Sequence, residues 1–183
     1  AAIATVTSDA ATLTAANTAA DETAAVVVVT PGTTFTLTTG TDFVSGTALD
    51  DIVNAVRGGS SSTTETYSPT DQINGGGGTD TLYIESDRTA ENLATVTNME
   101  KIQVTNAGAA ASVLTVTLPN DKAYTNLENL NSTGEVTFSA ISNADMNGGI
   151  TSQPNGEVTT FGYTSTALLG ATDNLDVELV GVD

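Results

Sequence analysis

Apolar residues in this chain come in short stretches that alternate with polar ones at a spacing of two. That pattern limits the fold more than any other feature, because only a β-strand sends every second side chain to the same face. TLYIES (81–86), EKIQVTN (100–106), SVLTVTLP (112–119), GEVTFSAI (134–141), GEVTTFGYT (156–164) and LDVELVGV (175–182) read as half-buried strands. TTFTLTTG (33–40) places Phe35 and Leu37 on one face, and VVVVT (26–30) reads as a strand buried on both. Turn residues punctuate the strands at Pro31-Gly32, Asn106-Ala107-Gly108, Pro119-Asn120-Asp121, Asn147-Gly148-Gly149 and Pro154-Asn155-Gly156. Only ALDDIVNAV (48–56) and RTAENLATV (88–96) have the composition for helical turns.

The expectation is therefore an all-β chain with one β-rich domain over residues 31–183, either an elongated β-solenoid or β-roll, or a β-sandwich. Residues 1–30 are Ala/Thr-rich, with helix and strand propensities that cancel, and read as an N-terminal arm or a strand donated to a neighbour. Two internal echoes point to stacked coils. ENLATVTNMEKIQVT (91–105) matches AYTNLENLNSTGEVTF (123–138) at an offset of about 29, and GEVTFSAIS is repeated as GEVTTFGYT about 22 residues on, within the range that stacked β units produce.

Charge excludes several partners. Twenty-two acidic residues face four basic ones, Arg57, Arg88, Lys101 and Lys122, for a net charge of −18. Nothing here could neutralise phosphates, so nucleic acid is ruled out as a partner, and an anionic membrane surface is disfavoured. No apolar run reaches the roughly 20 residues needed to cross a bilayer as a helix, so membrane insertion is not expected. Most carboxylates lack a basic partner and must be solvated, hydrogen-bonded or held by cations. The chain has no histidine and no cysteine, which leaves only oxygen ligands and favours hard cations, Ca²⁺ ahead of Mg²⁺. The first residue is Ala1, which fits either a removed leader or a piece of a longer chain.

DQINGGGGTDTLY (71–83) sets four consecutive glycines between two aspartates, ahead of a strand. Fixed glycine costs conformational entropy, so the run must serve a backbone geometry that side chains forbid. Gly75, Gly76, Gly78, Asp80 and Leu82 fit every fixed position of the calcium-binding nonapeptide G-G-x-G-x-D-x-U-x. In such a turn glycines aim carbonyls at an ion, aspartate adds a carboxylate and the apolar residue anchors the next strand. One nonapeptide supplies half a site. The other half must come from degenerate relatives: DQIN upstream, with Asp71 and Asn74, and SGTALDDIV (45–53), with Asp50 and Asp51. The candidate metal ligands are thus Asp50, Asp51, Asp71, Asn74, Gly76, Gly78 and Asp80. A glycine-rich turn without an ion and a flexible linker are the alternatives.

FTLTTGTDFVSGTALDDIVNAV followed by DQINGGGGTDTLYIES resembles a module of surface-layer proteins and other large RTX-like exported proteins of Gram-negative bacteria, and NMEKIQVT and NLENLNSTGEVTF look like the strand repeats that follow it there. The resemblance covers about residues 33–140. It implies a β-rich extracellular structural protein, exported without a cleaved leader and calcium-dependent in assembly. Without histidine or cysteine, Ser-His and Cys-His chemistry are impossible, and Asp50-Asp51 or Asp21-Glu22, as sequence neighbours, would point to opposite faces of a strand, so no enzyme is expected. Tyr67, Tyr83, Tyr124 and Tyr163 read as packing residues rather than a ligand platform. The expected function is a self-assembling cell-surface subunit whose partners are copies of itself and a cell-surface glycan, with a non-enzymatic adhesin or phage surface module as the alternative.

Overall fold

The computed structural model describes residues 32–57, 64–151, 157–169 and 175–180. The 1–30 segment with its VVVVT strand, and the Pro154-Asn155-Gly156 turn, lie outside the described residues. The strands in chain order are β1 (Thr34–Thr36), β2 (Phe43–Ser45), β3 (Ile52–Val56), β4 (Gln72–Asn74), β5 (Thr81–Ser86), β6 (Ala90–Asn92), β7 (Val96–Thr97), β8 (Lys101–Asn106), β9 (Val113–Thr117), β10 (Asn126–Leu130), β11 (Glu135–Ile141), β12 (Met146–Thr151), β13 (Thr159–Tyr163) and β14 (Leu175–Val180).

Every pairing among them is parallel. The first sheet has seven strands in the order β1-β3-β5-β8-β10-β12-β14, one from each successive coil. Between its visits to that sheet the chain adds a strand to a second sheet, β2-β4-β7, in the early coils, to a third, β6-β9-β11-β13, in the later ones, and to both between β5 and β8. This is a parallel β-solenoid, and the sandwich alternative, which would need antiparallel sheets, is set aside.

Stacking in register puts like side chains over like. Val53, Leu82, Ile102 and Leu127 form one inward column of the first sheet, and Ala55, Ile84 and Val104 the next, all fully buried. Val44, Ile73 and Val96 line the second sheet, and Val116, Phe138 and Phe161 the third. Strand neighbours about 4.8 Å apart give each apolar side chain a partner above and below, so every coil covers the core face of the one before. Tyr67 and Tyr124 are buried, with their hydroxyls satisfied at the Asn92 carbonyl (2.6 Å) and Ser142 Oγ (3.0 Å).

The two segments expected to make helical turns are strands: 48–56 holds β3, and 88–96 holds β6 and the first residue of β7. Parallel pairing to both neighbours outweighs the weak local preference of β3. Asn147-Gly148-Gly149, expected as a turn, lies inside β12. Gly148 faces inward, and a Cβ built there would stand 2.9 Å from the Phe161 ring, so the missing side chain makes room for an aromatic from the next strand layer. The expected repeat offsets also shift. Asn126 pairs with Lys101 and Val136 with Thr159, displaced from the sequence echoes, because the inward columns decide the register.

Candidate functional site

Where a coil bends from the second sheet into the first, backbone N–H groups leave the ladder and lose their carbonyl partners. A buried N–H left unpaired costs about as much as a lost hydrogen bond, so each corner needs a substitute acceptor. The acidic residue just before each strand provides it. Thr33 N–H donates to Asp51 Oδ1 (2.5 Å), Asp51 N–H to Asp80 Oδ1 (2.7 Å) and Asp80 N–H to Glu100 Oε2 (2.7 Å), a ladder of carboxylates running from coil to coil. A second such link precedes β2 and β4: Asp42 N–H donates to Asp71 Oδ1 (2.9 Å) and Ser68 N–H to Asp71 Oδ2 (2.8 Å).

The glycines answer to the same stacking. A Cβ on Gly46 would lie 1.8 Å from the Gly75 carbonyl oxygen, and one on Gly75 would lie 1.9 Å from that of Asn98, so three successive coils touch backbone to backbone at this corner. Gly76 (φ +96°) and Gly78 (φ +112°) adopt backbone that side chains disfavour and rest on Thr47 and on Leu49-Asp50. Gly77 differs: its nearest neighbour to a built Cβ is the Ala48 Cα at 3.8 Å. Leu82 points inward from β5 and is fully buried, the anchoring role expected of it.

Of the seven residues singled out as metal ligands, Asp50, Asp51, Asn74, Gly76, Gly78 and Asp80 fall on this stacked corner, while Asp71 sits at the other end of β4. Each of the four aspartates accepts at least one backbone N–H. Both oxygens of Asp51 accept N–H groups, from Thr33 and Thr47, and both of Asp71 do so. Asp50 Oδ1 accepts Thr79 N–H (2.7 Å), and Asn74 Oδ1 accepts Gly76 N–H (3.0 Å) and the Asn98 amide (2.8 Å). Only Asp80 Oδ2 is buried without a hydrogen-bond partner within this set. Among the described residues no group of three or more acidic side chains converges to hold a metal ion. The corner fits a backbone-stacking device, in which carboxylates cap N–H groups and glycines let one coil rest on the next.

Stacked carboxylates titrate apart. The Thr47 backbone N–H, with that of Thr33, holds Asp51 below the usual aspartate value. Burial pushes Asp80 up, and the neighbouring charges of Glu100, Asp51 and Asp50 push the same way. Asp42 and Glu100 were missed as members of this set. Their signal was present as a period: Asp42 to Asp71 and Asp51 to Asp80 are both 29 residues apart, as are Thr41 and Thr70, which bond side chain to side chain.

A cleft of about 460 Å³ lies on the outer face of the second sheet, lined by Phe43, Ser45, Gln72, Asn74, Thr95 and Thr97 over Val44 and Ile73. Phe43 is 73% exposed, directly opposite Gln72 in register. Its lining carries no charged side chain. Comparison with known proteins finds no match: no family model, no curated protein and no solved structure is similar to this chain.

Proposed function

We propose that the chain is a non-catalytic structural subunit that assembles with copies of itself at a cell surface, as a layer or filament, with divalent cations as the counterions that let copies approach. The observation that supports this reading most is how the few positive charges are used. Arg57 pairs with Glu85 (3.3 Å) and Asp87 (2.5 Å), Arg88 with Glu91 (3.4 Å) and Lys101 with Glu128 (3.1 Å), so three of the four basic residues are spent within the coils. Copies carrying −18 each repel unless cations from the medium intervene. Extracellular calcium sites work at roughly 10⁻⁴ to 10⁻³ M, which would confine assembly to the outside of a cell. Calcium acts here at exposed carboxylates such as Asp50 and Asp121, not through a cage at the glycine turn.

The test is light scattering and sedimentation with millimolar Ca²⁺, with chelator, and with monovalent salt at matched ionic strength. Reversible, calcium-specific growth supports the reading; a monomer in all three conditions overturns it. Comparing Asp80→Ala with Asp145→Ala, an exposed control, locates the ion. On this reading calcium raises the melting temperature of both variants equally; selective loss of that increment in Asp80→Ala would return the ion to the glycine turn.

A second reading, a binding module, is favoured by the neutral cleft over β2, β4 and β7. In so acidic a chain, an exposed aromatic ring beside uncharged amides and hydroxyls suits a neutral glycan chain, stacked on Phe43 and hydrogen-bonded by Gln72 and Ser45. Titration calorimetry with neutral oligosaccharides tests it: binding lost in Phe43→Ala supports the module, and heat unchanged by that substitution removes it.

A further inference from the structure

A buried acidic cluster away from the glycine corner is short of one proton donor. Residues 64–71, ahead of β4, place Glu65 in the body of the coils, where it is 4% exposed. It meets Glu91, the inward residue of β6 at 2% exposure, and Ser86 at the end of β5. Ser86 Oγ stands 2.8 Å from Glu91 Oε1 and 3.2 Å from Glu65 Oε1, and it also accepts the Arg88 N–H (3.1 Å). A hydroxyl has one hydrogen, so it serves only one of two carboxylates. The shorter contact takes it, and the contact to Glu65 is then oxygen against oxygen unless Glu65 brings a hydrogen of its own.

Charge leads to the same residue. The groups acting on Glu65 are Ser86, Asp87, Arg88 and Glu91. Arg57 is committed to Glu85 and Asp87, and Arg88 bonds Glu91 and the Tyr67 carbonyl (2.8 Å). Among the described residues Glu65 has no ion pair at all. Three carboxylate oxygens, Glu65 Oε2, Asp87 Oδ1 and Glu91 Oε2, are buried without a hydrogen-bond partner. With no ion pair on Glu65 and three carboxylate oxygens unpartnered, a proton on one carboxyl group lowers the charge and supplies the missing hydrogen.

We propose that Glu65 is held protonated in the folded chain, and that this proton straps residues 64–71 onto β5 and β6. Burial raises Glu65 first of all, and the neighbouring Asp87 side chain raises it further; burial raises Glu91 too. Because the folded value is raised, the strap is fully present below the ordinary glutamate value of 4.5 and is lost as pH rises through the folded value. On release the Glu65 O–H bond breaks, its electron pair stays on the carboxylate and the proton goes to water. The unpaired buried charge then expels the segment, and with it Tyr67 and the Asp71 carboxylate that caps the Asp42 and Ser68 N–H groups.

The ¹³C carboxyl resonance of Glu65 in the unaltered protein tests the proton directly. A midpoint above the ordinary value of 4.5 is expected, and one at or below it overturns the proposal. Hydrogen exchange tests the strap. Corrected for intrinsic rates, protection of the Asp87, Asp42 and Ser68 amides falls as pH rises, by at most about tenfold per pH unit for one proton. In Glu65→Gln, whose amide oxygen still accepts from Asp87 N–H and which carries no proton to lose, that slope disappears, while Glu157→Gln retains it. Protection independent of pH in the unaltered protein, or an unchanged slope in Glu65→Gln, would refute the strap.

Discussion

The early coils and the later coils solve the same problem with different chemistry. Around β2, β4 and β7 the corners are closed by carboxylates, and glycines let backbone rest on backbone. Around β9, β11 and β13 the work passes to neutral groups. Asn106 donates its side-chain amide to the Ser112 (3.1 Å) and Glu135 (2.8 Å) carbonyls, and Ser132 Oγ accepts the Asn106 N–H (2.8 Å). The later coils also fill their interior with rings, Phe138 stacked on Phe161 at 5.5 Å between centroids. A charged acceptor makes a stronger hydrogen bond to N–H than a neutral one, but it brings like charges together along the axis and ties the corner to pH. The amide corner gives up bond strength and is free of that dependence.

If that contrast is right, the later coils should fail when atoms are removed and the early ones when atoms are added. Phe138→Ala, at a fully buried site, should cost about 4 kcal/mol in denaturant unfolding, the largest effect expected. Gly75→Ala should cost about 3 kcal/mol, because the new methyl meets the rigid carbonyl of Asn98. Two residues along, Gly77→Ala should instead stabilise by about 0.5 kcal/mol by restricting the unfolded chain. A large loss there would mean that the glycine run serves something other than stacking.

The acceptors should rank in the same way. Asp71→Ala leaves two N–H groups unsatisfied beside β4 and should cost about 2 kcal/mol, while Ser132→Ala, losing a neutral acceptor, should cost about 1 kcal/mol. Melting temperature against pH gives the smallest and most selective signal. Asp51 is held low, so its contribution is present above the ordinary value of 3.8 and fades as pH falls through its folded value. Asp80 is raised, so its contribution runs the other way and fades as pH rises. Asp51→Asn should flatten the acid limb and Asp80→Asn the opposite one, whereas Ser132→Ala should leave the profile's shape unchanged.

Strand type was legible in residues 81–86, 101–106, 113–117, 135–141, 159–163 and 175–180, because alternation is local and a half-buried strand writes it directly into the chain. The glycine run declared that backbone would be approached closely, though not by what. β2 and β4 escaped notice at three residues each, too short to show a period, and β12 hid behind Asn-Gly-Gly, which looks like a turn wherever no ring from another strand needs the space. The 29-residue spacing of Asp42 with Asp71 and Asp51 with Asp80 lay in plain view, but only the stacked coils turned it into hydrogen bonds.

Composition and alternation by themselves determined an acidic, all-β chain without histidine or thiol chemistry. Register, and with it the fate of the carboxylates, was decided by the tertiary structure. A slip of one residue between β11 and β13, as the repeated Gly-Glu-Val-Thr would suggest, turns every side chain to the opposite face, and Phe138 meets Phe161 only in the register adopted. The same holds at the corner: an aspartate beside four glycines does not name its partner in sequence, and the coil packed against it brings the Asp51 N–H to Asp80 Oδ1.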